Sequence, residues 1–244
     1  MTPREAVPGR TEAQSGAEVR RVSAREGYQL WAPTYDDDPN PLLALEERGL
    51  DPLLPNLKGK DVLDVGCGTG RWLRKLQNRG ARSAVGVDLA AEMAVRAAVS
   101  PFLRGSLVLA DCLFLPLRER VADVILCSFT LGHIADIHAL GYELARVARQ
   151  RADVFLTELH PDAQARGWRC GFRHATGPIE VQGFVYTRHD VECAFGCEGL
   201  SLQAVHDLRL GEPERLIFAR AGKSGMFEAA CRAPAVVVYR FAVR

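Results

Sequence analysis

Between Asp61 and Leu76 the chain reads DVLDVGCGTGRWLRKL. A short apolar run carries an acid, Asp64, near its end; glycines follow at 66, 68 and 70, and a basic amphipathic segment begins. Strand, bare turn and helix in that order make the first half of a parallel β–α–β crossover. The pattern then repeats. SAVGV ends at Asp88 and precedes the helical AAEMAVRAAVS; SLVLA ends at Asp111; ADVILCS ends at Ser128 and leads to DIHALGYELARVARQ; ADVFLTE ends at Glu158. Strands this uniformly apolar belong to a parallel sheet covered on both faces, an α/β architecture. In the helix after Ser128, Ile137, Leu140, Leu144 and Val147 recur at helical spacing and Asp136 stands where a cap is needed.

The flanks are less regular. Residues 1 to about 20 are polar, with Pro3, Pro8, Gly9 and Gly16, and read as a mobile tail. AEVRRVSAREGYQLW is expected to hold a short helix, and PLLALEERGLDPLLPNL a helical piece broken by Gly49 and Pro52. The expected organisation is a tail and short helix over 1–27 and a single domain over 28–244. Within it, residues 161–188 are rich in Arg, Gly and aromatics and are expected to cover a substrate. The chain closes on a helix (RHDVECAFGCEG), a strand (LSLQAVHDL), a loop and a last strand (PAVVVYRFAV). With no crossover helix between them, one of these two strands is expected to run antiparallel.

In open parallel sheets, ligands sit beyond the carboxyl ends of the strands. Those ends carry Asp64, Asp88, Asp111, Ser128, Glu158 and His160. The glycine spacing is G-x-G-x-G. The dinucleotide fingerprint wants glycine at position 71, where Arg71 stands, and a phosphate loop wants Gly-Lys-Ser/Thr, which is missing. An acidic rim also repels pyrophosphate. Asp88, about 20 residues past the turn, suits a ribose diol, and Asp111 suits an adenine amino group. Taken alone, Asp88 also reads as a helix cap and Asp111 as a turn former. Together the features describe an adenosine compound that is not an anion.

VLDVGCGTG, VGVDLAAEM, ADCLFLPL and CSFTLGHIADIHALGYELARVAR resemble the class I S-adenosylmethionine-dependent methyltransferases, in particular the small-molecule group with quinone, biotin-pathway and sugar methyltransferases. The resemblance runs over about residues 28–160. It implies a three-layer sandwich on a seven-stranded, mostly parallel sheet whose last strand is antiparallel, with S-adenosylmethionine as cofactor. It further implies that Gly66, Cys67 and Gly68 line the methionine part and Asp64 lies near its ammonium. Asp88 would hold the ribose, Leu89 and Met93 the adenine, with Asp111 and Cys112 at the rim and Ser128 and Phe129 beneath. Tyr28 or Tyr35 would fold over the cofactor. For catalysis the expectation is His133, in TLGHIAD just past the fourth strand, and then His160; His133 could instead shape its loop and pocket, and His160 could be a strand-end histidine before a turn proline.

Composition narrows the partners. Net charge is +1 over 244 residues, which gives no bulk field for nucleic acid or an anionic membrane. No run of about 18 apolar residues predicts a membrane span. Seven scattered cysteines suggest reduced thiols and a cytoplasmic setting. His189, Cys193 and Cys197, with Cys170, have a metal-like spacing, but the same stretch fits a structural helix, so no metal is expected. The expected partner is a small-molecule acceptor methylated at oxygen or nitrogen, with carbon possible. The rival readings are a nucleotide-dependent oxidoreductase and a protein that binds the cofactor without transferring its methyl group.

Overall fold

The computed structural model describes residues 4–5 and 18–243, so most of the tail expected over 1–20 lies outside the described residues. A two-residue strand β1 (Arg4–Glu5) and a short strand β2 (Arg20–Val22) precede helices α1 (Ala24–Trp31) and α2 (Pro41–Leu50). The alternating part follows: β3 (Asp61–Val65), α3 (Arg71–Asn78), β4 (Ser83–Asp88), α4 (Ala91–Ala97), β5 (Leu107–Leu109), β6 (Ala122–Ser128), α5 (Ile137–Val147) and β7 (Ala148–Leu159). Next come α6 (Pro161–Ala165), β8 (Gly171–His174), β9 (Gly177–Val181) and β10 (Phe184–Val185). The chain ends on α7 (Arg188–Cys197), β11 (Leu200–Leu208), α8 (Glu212–Arg220), α9 (Phe227–Ala230) and β12 (Val236–Val243).

Seven strands form one sheet in the order β11-β12-β7-β6-β3-β4-β5. β12 is antiparallel to both of its neighbours, and the pairs from β7 to β5 are parallel. The expected architecture is therefore present, antiparallel last strand included. Parallel strands need both faces covered, and both are. On one face Leu140 and Leu144 of α5 and Val191 and Phe195 of α7 pack with Ile125, Leu156 and Phe241. On the other, Leu50 and the α3 residues Trp72, Leu73 and Leu76 pack with Val62, Leu126 and Phe155. Asp136 caps α5 by accepting from the Ala139 amide at 3.0 Å. Among the described residues no helix is long and apolar enough to cross a membrane.

Two expectations change. The first helix begins only at Ala24, so the boundary expected at 27/28 falls inside α1. Ser23 sets that start by accepting from the Glu26 amide, and Arg20–Val22 before it pairs in parallel with β9. Residues 161–188 hold a helical turn and then the β8–β9 hairpin, which with β2 makes a three-stranded sheet. The loop expected between the last two strands contains α8 and α9. Pro213 at the first turn suits a helix start, and Phe218 and Phe227 pack with Leu45 of α2 and Val236.

Candidate active site

Because β3 to β7 are parallel, their carboxyl ends lie on one edge of the sheet. There the chain leaves a cleft of about 1030 Å³, part of it open to solvent. The turn after β3 forms its floor. Gly66 has φ 72° and Gly68 φ 54°, values that favour glycine. A Cβ on Gly66 would stand 2.0 Å from Thr130 Oγ1, so that glycine allows close packing of β3 on the loop after β6. A Cβ on Gly68 would meet no protein atom within 4 Å, and Gly68 lines the cleft. Its missing side chain leaves room for a ligand.

Three acids ring this floor. The Gly68 amide donates to Asp88 Oδ2 at 2.7 Å and the Ala90 amide to Oδ1 at 2.8 Å, which fixes the carboxylate at the entry to α4. Burial pushes Asp88 up, against the pull of these amides. Asp111 accepts from the Leu113 amide at 2.9 Å, a turn-forming contact, and also lines the cleft. Asp64 differs. It is 1% exposed, and its Oδ2 has no hydrogen-bond partner. Burial pushes it up to about 7, with the nearby Arg71 pulling the other way. A buried carboxylate atom with no donor is costly unless something else supplies the charge or the proton.

Over the cleft lies α1. Tyr28 and Tyr35 line it, and Trp31 between them stacks on Phe172 of β8 at 4.7 Å, which ties the hairpin to α1. Opposite, the turn Leu131–His133 is held by Glu158, whose Oε2 accepts the Gly132 amide at 2.7 Å. His133 Nδ1 faces the Gln182 carbonyl at 3.4 Å and its Nε2 faces the Tyr28 hydroxyl at 2.9 Å. A carbonyl only accepts, so this geometry assigns the ring proton to Nδ1 and the lone pair to Nε2, and Tyr28 donates. Burial pushes the His133 pKa down, which favours this neutral form.

All the expected cofactor residues, Tyr28, Tyr35, Asp64, Gly66, Cys67, Gly68, Asp88, Leu89, Met93, Asp111, Cys112, Ser128 and Phe129, line this one cleft together with His133. His160 does not line it. It sits at the outer part of the same edge, where Nδ1 accepts from the Asp162 amide at 3.1 Å and Nε2 lies 3.4 Å from Asp207. There it caps α6, directly before Pro161. The metal-like spacing is likewise dispersed. His189 contacts Cys193 on α7 at 3.5 Å, while Cys170 lies 3.7 Å from the Tyr28 hydroxyl. Among the described residues no three side chains are placed to share a metal.

Sequence reading missed Glu46 and Arg71. Glu46 of α2 is fully buried. It accepts from Arg71 (2.6 Å), Trp72 Nε1 (3.0 Å), Ser128 (2.7 Å) and Thr157 (2.9 Å). An acid directly after Leu45, on the leucine-bearing face of a helix, was the available signal.

Residues 62–151 match the family model for a methyltransferase domain. That span runs from β3 into β7. Solved structures extend the likeness to the domain's surroundings. A S-adenosylmethionine-dependent methyltransferase from Mesorhizobium loti is 20% identical and superposes with a TM-score of 0.67 over 83% of this chain and 100% of that one. The geranyl diphosphate C-methyltransferase of Streptomyces coelicolor, 18% identical, gives 0.62 over 83% and 80%. At these identities the likeness is one of fold, and the fold is that of class I methyltransferases. A demethylmenaquinone methyltransferase of Roseiflexus is 37% identical over 114 residues, 44% of this chain and 48% of that protein. A biotin biosynthesis bifunctional protein of Cellvibrio japonicus is 30% identical over 143 residues, 59% of this chain and 28% of that protein. The chain thus spans less than half the length of these curated relatives.

Proposed function

We propose that the methyltransferase domain binds S-adenosylmethionine in the cleft and transfers its methyl group to an oxygen or nitrogen of a small-molecule acceptor. The observation that carries this reading is Asp64: a buried carboxylate oxygen without a donor, in a cleft also lined by Gly68, whose side-chain space is empty. Such a floor suits a cation that approaches the main chain closely, and it disfavours a pyrophosphate. Asp64, Gly66, Cys67 and Gly68 would hold the amino-acid end of the cofactor, Asp88 the ribose, Leu89 and Met93 the adenine. Asp111 and Cys112 would stand at the rim, with Ser128 and Phe129 beneath. When bound, S-adenosylmethionine supplies an electrophilic methyl group on a sulfonium with a good leaving group.

The chain's own contribution is alignment, dryness and a proton acceptor. Alignment of nucleophile and methyl supplies about 7–11 kcal/mol in reactions of this kind. Tyr28 and Tyr35 close the cleft and keep water out, with residues 161–188 behind them as the acceptor's cover. His133 presents the Nε2 lone pair toward the cleft, and there an acceptor O–H or N–H exchanges with the Tyr28 hydroxyl. The acceptor's proton passes to Nε2 as the methyl group arrives. A free thiol at every described cysteine is in keeping with a cytoplasmic setting.

The test is a screen of small-molecule acceptors with S-adenosylmethionine, read as a mass gain of one methyl group and release of S-adenosylhomocysteine. Calorimetry with S-adenosylhomocysteine against NAD runs beside it. Binding of NAD alone would replace this reading with the oxidoreductase; binding of S-adenosylhomocysteine with no methylated product would favour a cofactor-binding protein without transfer.

A further inference from the structure

β6 and β7 pair as far as Ser128 and Thr157, and the Phe129 amide still donates to the Thr157 carbonyl at 3.0 Å. Beyond that point the two chains part. β7 runs on beside β12, while the chain after β6 turns through Leu131–His133. Side chains alternate along a strand, so Thr157 and Glu158 serve opposite faces. Thr157 donates to Glu46 of α2, and Glu158 reaches back to the turn. Its two oxygens take two amides, Oε2 that of Gly132 and Oε1 that of Leu159, each at 2.7 Å. The contact is close: a Cβ on Gly132 would stand 3.0 Å from Oε2. From another direction, a Cβ on Gly183 would stand 2.9 Å from the Gly132 carbonyl oxygen. Gly132 is thus clasped between a carboxylate and the link from β9 to β10. That link carries the Gln182 carbonyl, which His133 Nδ1 faces at 3.4 Å.

We propose that Glu158 is a positioning residue for His133: by holding the Gly132 amide it seats the turn against Gln182 and Gly183, and so keeps the ring proton on Nδ1 and the lone pair on Nε2. This rests on the reading of His133 as the proton acceptor and names what makes it one. The Nδ1 contact is long, and a neutral bond of that length decides little by itself. A carboxylate–amide bond is charge-assisted and about twice as strong as a neutral one. The Tyr186 hydroxyl also holds this stretch, donating to the Ile134 and Ala135 carbonyls at 2.6 and 3.1 Å. Those bonds fix the exit of the turn and leave the Gly132 amide to Glu158. A glutamine cannot replace the acid fully. Both oxygens already accept, so its amide nitrogen would meet an N–H.

Nitrogen NMR of protein labelled in its histidine rings tests this without acceptor or turnover. Among the 6 histidines, His133 is identified by the signals that His133→Ala removes. Spectra are taken at pH 8. Burial pushes Glu158 up to about 7, so its carboxylate is largely ionised there. The ionisable side chains around it, Tyr28, Cys127, Cys170 and Tyr239, are pushed up by burial and are neutral at that pH. The unaltered protein is expected to show one tautomer, with Nδ1 protonated and Nε2 bare. In Glu158→Gln roughly half of the rings or more are expected to carry the proton on Nε2 instead. The lowered His133 pKa should also rise toward its ordinary value as the ring is freed. Gly183→Ala pushes the link away from the turn and is expected to give the same change with Glu158 intact. An unchanged tautomer in Glu158→Gln overturns the inference, as does a proton on Nε2 in the unaltered protein. Should Glu158→Gln no longer unfold cooperatively in urea, Glu158→Asp carries the same test, since it keeps the charge and withdraws it from the Gly132 amide by one methylene. Unchanged turnover in His133→Ala would sink the reading of His133 as proton acceptor; these spectra decide the role of Glu158 separately.

Discussion

The proposed base, His133, rests on geometry before pKa. Its Nδ1 is committed to the Gln182 carbonyl, so the lone pair sits on Nε2, where it accepts from the Tyr28 hydroxyl at the cleft. Replacing His133 by Ala is expected to lower kcat by about 10²–10⁴, the usual range for a positioned acid or base, with S-adenosylhomocysteine affinity nearly unchanged. Unchanged turnover would remove His133 from the mechanism. The pH dependence has a definite sign. The neutral ring is the active form, so the rate rises with pH through the His133 pKa and then levels. Burial holds that pKa below the ordinary 6.5. The acid limb of the pH–rate profile should therefore lie below pH 6.5, and a limb above it would belong to another group. His133 was legible in the sequence because it follows an apolar strand whose carboxyl end must face the ligand edge. Its partners Tyr28 and Gln182 were not, since hydrophobic period says nothing about pairs 105 and 49 residues apart. The same logic put His160 on that edge, and the edge is where it is. Strand order then set it aside, because β7 passes outward to β12 and away from the glycine turn.

At the scale of elements, α2 is fastened by one acid. Glu46 leaves its helix to receive donors from α3, β6 and β7, and Trp72 and Thr157 among them are buried. Glu46→Leu removes the acceptor for all of them and leaves the Arg71 cation largely unpaired. Truncating one partner of a buried ion pair typically costs about 3–5 kcal/mol. Urea unfolding should show a loss of that size, with Glu46→Gln, which still accepts hydrogen bonds, losing less. A loss under about 1 kcal/mol would mean that water replaces the carboxylate and the network does not hold α2. The strands and helices between Asp61 and Glu158 were legible because each carries its own period, apolar runs for buried strands and three-to-four spacing for α3 and α5. The three-stranded sheet of β2, β8 and β9 was not. β2 is three residues long and pairs with residues 179–181, a contact no local pattern encodes. α8 was hidden for another reason: its apolar residues meet α2 and the end of β12, so its amphipathic signal is short and interrupted by charge.

The whole molecule responds to pH through the acids it buries. Asp64 and Glu158 are both pushed up to about 7, and Asp88 is raised, in each case chiefly by burial. Unfolded, the same side chains titrate near 4. Between about pH 4 and pH 7 the folded state therefore holds more protons, and stability falls as pH rises across that window. For Asp64 alone the upper bound is on the order of 4 kcal/mol. His133 acts the other way. Its lowered pKa makes the unfolded chain bind more protons below about 6.5, so its share of stability grows with pH through the same range. Asp61, Asp123 and Glu143, held low by arginines and backbone amides, matter only below about pH 4.5. The net slope of the free protein thus mixes opposing groups, and the ligand separates them. On the proposed assignment an ammonium beside Asp64 favours its ionised form, so binding S-adenosylhomocysteine would expel the proton Asp64 holds. Titrations at pH 6 in buffers of different ionisation enthalpy should report release of close to one proton, falling to about half of one at pH 7 and to none near pH 9. The shift in Tm at a fixed ratio of ligand to protein should grow from pH 5 to pH 8 in step. Asp64→Asn should abolish both the proton release and the pH dependence of the shift, with Glu158 and His133 left as they were. Proton release that survives in Asp64→Asn would locate the ligand's positive charge elsewhere in the cleft and take the Asp64 assignment with it.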